Sequence, residues 1–193
     1  IDKDLFFRIT GKPYVSEPGG LPWQSHPELW NPLIGMKVPG LSLSKSQMSG
    51  LIDSETLSAS VDWTMTFHNS SAASQEARGE ITVPEGAAVS RVTLWVNGQP
   101  QEGAFAAKSQ AQEAYQSTVE QRRDPLLVTM NSPGRILVQC FPVPANGGEM
   151  RIRIGFKVPL ATSDGKTCTM DLPRMADGNF VQLKRHRVSF SSD

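Results

Sequence analysis

The chain has 193 residues, 38% of them hydrophobic, enough to bury one well-covered core. Lys and Arg together number 19, as do Asp and Glu, so the formal net charge is +0 and binding to nucleic acid or an anionic membrane through bulk charge is not expected. No apolar run approaches the ~20 residues of a membrane-spanning helix, and two cysteines, Cys140 and Cys168, form neither a disulfide framework nor a zinc-binding spacing.

In residues 1–40, Pro13, Pro18, Pro22, Pro27, Pro32 and Pro39 break any long helix or central strand. Phe6, Phe7, Tyr14, Trp23, Leu29, Trp30, Leu33 and Ile34 are nevertheless too apolar for a disordered tail. The segment reads as an ordered arm that lays aromatics on the body, or else offers them to a partner or a sugar. No leader pattern is visible. The start at Ile1 and the close in Ser191-Ser192-Asp193 read as the ends of a piece of a longer protein.

Alternation begins at Leu41-Ser42-Leu43-Ser44 and is clearest from Leu57 to Phe67, where Val61, Trp63, Met65 and Phe67 share one face. His68-Asn69-Ser70-Ser71 closes that strand as a turn. A strand from Glu76 to Val83 follows, then Val89 to Val96, then Asn97-Gly98, a strong hairpin signal. Val92, Leu94 and Val96 share a face there, which leaves Trp95 on the other. Next comes a helical run: Ala107, Ala111, Ala114, Tyr115 and Thr118 fall on one side, with Lys108, Gln112 and Gln116 opposite. Pro125 discourages its continuation past Asp124.

The remainder returns to β-structure. Leu126–Met130 reads as a short strand and Ser132-Pro133-Gly134 as a turn. Arg135–Phe141 is apolar on both faces and so central. Met150, Ile152, Ile154, Phe156 and Val158 point inward, Arg151, Arg153 and Lys157 outward. A final pair is expected over Thr167–Leu172 and Phe180–Phe190. The core expected from these patterns is Val61, Trp63, Met65, Phe67, Val92, Leu94, Val138, Ile152, Ile154 and Phe156, with Tyr115 packed under the helix.

The ordered set of Phe67-His68-Asn69, Glu76-Ala77 to Val83-Pro84, Asn97-Gly98, Gly103 before a helix with Lys108, Ala111 and Tyr115, Asp124-Pro125-Leu126-Leu127, and the run from Met150 to Leu160 resembles the vault protein/inter-alpha-trypsin (VIT) domain. The resemblance covers roughly residues 45–160, with departures at Ile81-Thr82-Val83-Pro84-Glu85 and at Phe156. It implies a mainly β, antiparallel β-sandwich-like fold with one short α-helix. The expected organisation is an arm over 1–40, the VIT domain over 41–160 and a C-terminal extension of extra strands over 161–193. It further implies a non-catalytic interaction or structural module of a larger secreted or envelope-associated protein, bacterial in origin, with no cofactor. Its partner would be another protein or a neighbouring domain, with no nucleic acid bound and no membrane insertion.

Catalytic constellations are weak. His26, His68 and His186 sit in unrelated contexts. Cys140 with His68 would be a nucleophile and base only if the fold joined them; a buried strand cysteine and a turn histidine are the ordinary reading. Glu76 and Glu80 read as exposed carboxylates, and Lys184-Arg185-His186-Arg187 as a solvated face. Asp53-Ser54-Glu55-Thr56-Leu57 lacks the serines of an Asp-x-Ser-x-Ser metal site. A disulfide between Cys140 and Cys168 stays open at this point. The candidate interaction surface is Trp95, Lys108, Gln112, Tyr115, Arg122, Arg123 and Asp124. The alternative function is a glycan-binding β-sandwich, with Trp95 or the arm's Trp23 and Trp30 as stacking platforms.

Overall fold

A computed structural model describes residues 34–104, 126–162, 166–182 and 185–192. Alternating side chains produce two principal sheets. The larger runs β12-β1-β2-β8-β4-β5 and the smaller β11-β3-β7-β6, with a separate pair β10-β9. In chain order these are β1 (Leu41–Asp53), β2 (Ser58–Asn69), β3 (Gln75–Thr82), β4 (Ala88–Val96), β5 (Gln99–Glu102) and β6 (Leu126–Ser132). β7 (Arg135–Val143), β8 (Gly148–Pro159), β9 (Ala161–Thr162), β10 (Cys168–Thr169), β11 (Arg174–Gly178) and β12 (Arg187–Ser192) follow. The fold is mainly β, and every pairing is antiparallel except β1 with β12, which is parallel. The expected helix, with Tyr115, lies outside the described residues.

β2 and β8 form the spine. They pair without interruption from Ser58↔Pro159 to Asn69↔Gly148. Because strand side chains alternate, this register stacks Val61, Trp63, Met65 and Phe67 beside Phe156, Ile154, Ile152 and Met150 on one face. All eight are buried, and they share a single hydrophobic cluster with Ala77, Ile81, Ile136, Val138 and Cys140 of the smaller sheet. The two sheets therefore close over one core, as in a sandwich. Each large apolar side chain buried there contributes about 1.5–3 kcal/mol relative to exposure. The expected core residues are buried except Val92, which is only half-buried. β4 has only the short β5 outside it, so Val92 lies towards the margin of the sheet, where coverage falls away.

Local chemistry sets the turns. Asn97 and Gly98 have φ of 52° and 78°, the left-handed pair required by a two-residue hairpin joining β4 to β5. At the β1–β2 turn the Thr56 N–H donates to the Asp53 carboxylate at 2.9 Å. That bond, from the backbone of Thr56, holds the Asp53 carboxyl below the usual carboxylate range. Its small contribution is present above the ordinary carboxylate pKa and is lost as pH falls through the lowered value. Asp53 thus stabilises a turn. The Ser132-Pro133-Gly134 turn joins β6 to β7, with Gly134 at φ 70°.

Buried polar groups are matched. The Asn69 side chain, fully buried, donates to the carbonyls of Ala73 (2.9 Å) and Val143 (3.0 Å) and accepts from the Ser71 N–H (3.0 Å). The Glu76 carbonyl accepts from Asn179 Nδ2 at 2.8 Å, while the Arg78 N–H donates to Asn179 Oδ1 at 2.8 Å; opposite Glu76, β7 bulges with two residues, Phe141 and Pro142, against one. Trp63, fully buried, donates its indole N–H to Ser46 Oγ at 2.9 Å, and Ser46 Oγ lies 2.6 Å from Nδ1 of His186.

Three further expectations are corrected. The single strand expected over Phe180–Phe190 is divided. Phe180 inserts into the core, 4.9 Å from the Phe67 ring centroid; Val181 bridges Ser42; and the strand proper resumes only at Arg187. A fully buried aromatic anchor at Phe180 interrupts the edge alternation. The strand over Thr167–Leu172 shortens to Cys168–Thr169. Glu76 and Glu80 are buried, at 3% and 5% exposure, because Arg78 and Arg135 pair with them at 2.9 and 2.5 Å. Cys140 is buried in β7, Cys168 is exposed in β10, and no disulfide joins them.

Two substitutions test this core. Phe156→Ala, at a fully buried position, is expected to cost about 3–5 kcal/mol in urea unfolding; a much smaller loss would mean that this face of β8 is not the core face. Ser46→Ala removes the acceptor for the Trp63 indole and is expected to cost about 1–3 kcal/mol, with the Trp63 indole proton exchanging faster by NMR.

Candidate functional site: a tryptophan and arginine platform

Trp95 is the one residue of the expected interaction surface that lies among the described residues. Lys108, Gln112, Tyr115, Arg122, Arg123 and Asp124 fall outside them, as do Trp23 and Trp30. β4 pairs with β8 through Thr93↔Arg153 and Leu94↔Ile152, so the next residues in that register are Trp95 and Arg151. Leu94 and Ile152 point into the core, which turns Trp95 and Arg151 to the outer face of the larger sheet. There the Arg151 guanidinium lies over the half-buried Trp95 ring, 3.8 Å from its centroid, and that of Arg153 lies 5.4 Å away. Stacking of this kind contributes about 0.5–1 kcal/mol at an exposed site and more when water is excluded.

The neighbouring cations are tied down. Arg153 donates to Thr93 Oγ1 (3.0 Å) and to Glu102 Oε1 (3.1 Å), and Thr93 donates to the same Glu102 oxygen at 2.9 Å. Arg91 forks onto Asp62, with its Nε 3.2 Å from Oδ1. Arg91 and Asp62 both stand opposite Gly155 of β8, so this ion pair reaches across an intervening strand. A Cβ at Gly155 would meet Arg91 Cγ at 2.7 Å and Asp62 Oδ1 at 3.1 Å; the bridge exists because that position has no side chain. Lys45 pairs with Glu149 at 3.5 Å. Arg151, exposed, has the Trp95 π-face as its contact among the described residues.

The catalytic pairings fare differently. Phe67 and Cys140 both enter the core, so His68, next along β2, faces outward and the Cys140–His68 pair is not assembled. Ser46 and His186 do meet, a contact not anticipated from sequence. Ser46 is only 8% exposed and its Oγ already accepts from Trp63, so the hydroxyl seals the end of the core and offers no path to an incoming carbonyl. Among the described residues no group of three His, Cys, Asp or Glu side chains could hold a metal ion, and no helix is long and apolar enough to cross a membrane. The outward direction of Trp95 and of Arg151 was legible in the alternation of each strand; their contact needed the β4–β8 register.

Gly155→Val should break the Arg91–Asp62 bridge and lower stability by about 1–3 kcal/mol through overpacking. Asp62→Ala alone, removing a partly exposed pair, should cost about 1 kcal/mol or less. Chemical denaturation of both variants measures the difference, and equal losses would mean that the clash over Gly155 is not the larger effect.

No curated protein matches the chain. Solved structures similar to part of it include a zinc metallopeptidase of Deinococcus radiodurans bound to a Tyr-Ser-Ala substrate, at 17% identity and TM-score 0.34, covering 67% of this chain and 23% of that one. A yeast LTA4 hydrolase in complex with bestatin is also similar, at 12% identity and TM-score 0.34, covering 65% of this chain and 15% of that one. The chain thus spans less than a quarter of either enzyme, and at these TM-scores the likeness says nothing of fold or activity. The family model for the vault protein inter-alpha-trypsin domain, in contrast, matches residues 46–156. That match takes in β2 to β7 and most of β1 and β8, the strands that build the core and the outer platform, and the chain belongs to the VIT domain family.

Proposed function

We propose that the chain is a non-catalytic, VIT-type protein-interaction module of a larger secreted or envelope-associated bacterial protein. The observation that carries the interaction reading is Arg151, exposed, seated over the Trp95 ring on the outer sheet face and not neutralised by a carboxylate among the described residues. Tryptophan and arginine are the residue types that concentrate binding energy in protein interfaces. Support for a non-catalytic role comes from the separation of Cys140 from His68 and the occlusion of Ser46. The compartment and the parent protein are carried by the likeness to the family. The glycan-binding alternative loses support at Trp95, because the ring face a sugar would stack on is in contact with Arg151.

A pull-down tests the reading. The module is immobilised and exposed to soluble and envelope fractions of its source cell, beside a Trp95→Ser variant and an Arg122→Glu/Arg123→Glu variant. A protein retained by the parent module and lost with Trp95→Ser is the expected result. Equal retention by parent and Trp95→Ser would remove the platform from the interface, and retention of nothing would favour a spacer that contacts only its own chain.

A further inference from the structure

Resting on that interaction reading, we infer that the Trp95–Arg151 platform binds a carboxylate of an acidic peptide segment laid across the outer face of the larger sheet. A guanidinium over an indole ring retains N–H donors that can fork onto a carboxylate, and the ring contact holds it there before the partner arrives. Over β1, β2, β8, β4 and β5 the outward side chains include the cations Lys45, Arg91, Arg151, Arg153 and Lys157 and the acids Asp53, Asp62, Glu102 and Glu149, an excess of one positive charge in a chain of net charge +0. Glu149, Asp62 and Glu102 pair with Lys45, Arg91 and Arg153. Lys157 is the weakest of the influences that lower the Asp53 carboxyl and makes no salt bridge with it. Of the two cations on these strands without a salt bridge among the described residues, Arg151 carries the planar fork and lies over Trp95, so it is the one to which a partner can supply a carboxylate.

The surroundings favour a peptide crossing the face. Pro100, exposed in β5, stands opposite Trp95 and adds an apolar flank beside the charge. Proline has no N–H to donate, which hinders addition of a strand at the β5 edge and leaves the face as the accessible approach. The ring face over which Arg151 lies is not open to stack a pyranose.

The test uses capped hexaglutamate as probe, with capped hexaglutamine and a sulfated oligosaccharide as comparisons. The readout is the indole N–H resonance of Trp95 in nitrogen-15-labelled protein, assigned with Trp95→Phe. Hexaglutamate should shift that resonance saturably, and the shift should weaken as salt is raised. Arg151→Gln should weaken binding by about tenfold or more, and Arg151→Lys by less, since it keeps the charge but loses the planar fork. Arg151 is exposed, so both variants should keep the parent fold and melt within about 5 °C of it, which keeps loss of binding distinct from loss of fold. No shift with hexaglutamate, an equal shift with hexaglutamine, an unchanged response in Arg151→Gln, or saturation by the sulfated sugar alone would each overturn the inference. In the pull-down, a partner lost with Trp95→Ser but kept with Arg151→Gln, or kept by both variants, would overturn this inference and leave the interaction reading standing; retention of nothing by the parent module would overturn the interaction reading itself.

Discussion

The uninterrupted pairing of β2 with β8 is the constraint on which the rest of the molecule depends. It fixes the relative height of twelve residue pairs, and through alternation it settles the content of both faces of the larger sheet at once. Inward, it interleaves Trp63, Met65 and Phe67 with Ile154, Ile152 and Met150. Outward, it stands Asp62 beside Gly155, the gap that Arg91 crosses from β4. A slip of one residue would expose the apolar row and bury the charged one, so the hydrophobic effect that selects the core register also selects the geometry of the outer platform.

Polar groups close the ends of this arrangement. Trp63 brings an indole N–H to the margin of the core, where Ser46 accepts it and His186 covers the serine. Asn69 reaches from β2 to the Val143 carbonyl of β7, linking the larger sheet to the smaller. Asn179 bonds the β3 backbone at Glu76 and Arg78 and its own carbonyl accepts the Val38 N–H, so residues from either side of the family match are tied to one another. Each bond satisfies a group that would cost about 1–3 kcal/mol if buried alone. The segment following Gly178 is thereby continuous with the core: Phe180 packs on Phe67, and β12 then runs parallel along β1.

The residue patterns alone determined the β class, most of the strands, the hairpin at Asn97-Gly98 and nine of the ten expected core residues, because period-two alternation and turn chemistry are local properties of the chain. Only the tertiary structure decided which outward residues meet. Trp95 and Arg151 are far apart in sequence and touch because β4 and β8 are neighbours; Glu76 and Glu80 become buried because Arg78 and Arg135 are beside them. The alternation Leu41-Ser42-Leu43-Ser44, carried on unbroken, would turn Lys45 inward. A bulge at Ser44, whose hydroxyl donates to the Thr66 carbonyl, sends Lys45 out and Ser46 in to meet Trp63. Strand periodicity states which way a side chain points, whereas register, bulges and strand order are set by long-range packing and determine what it touches.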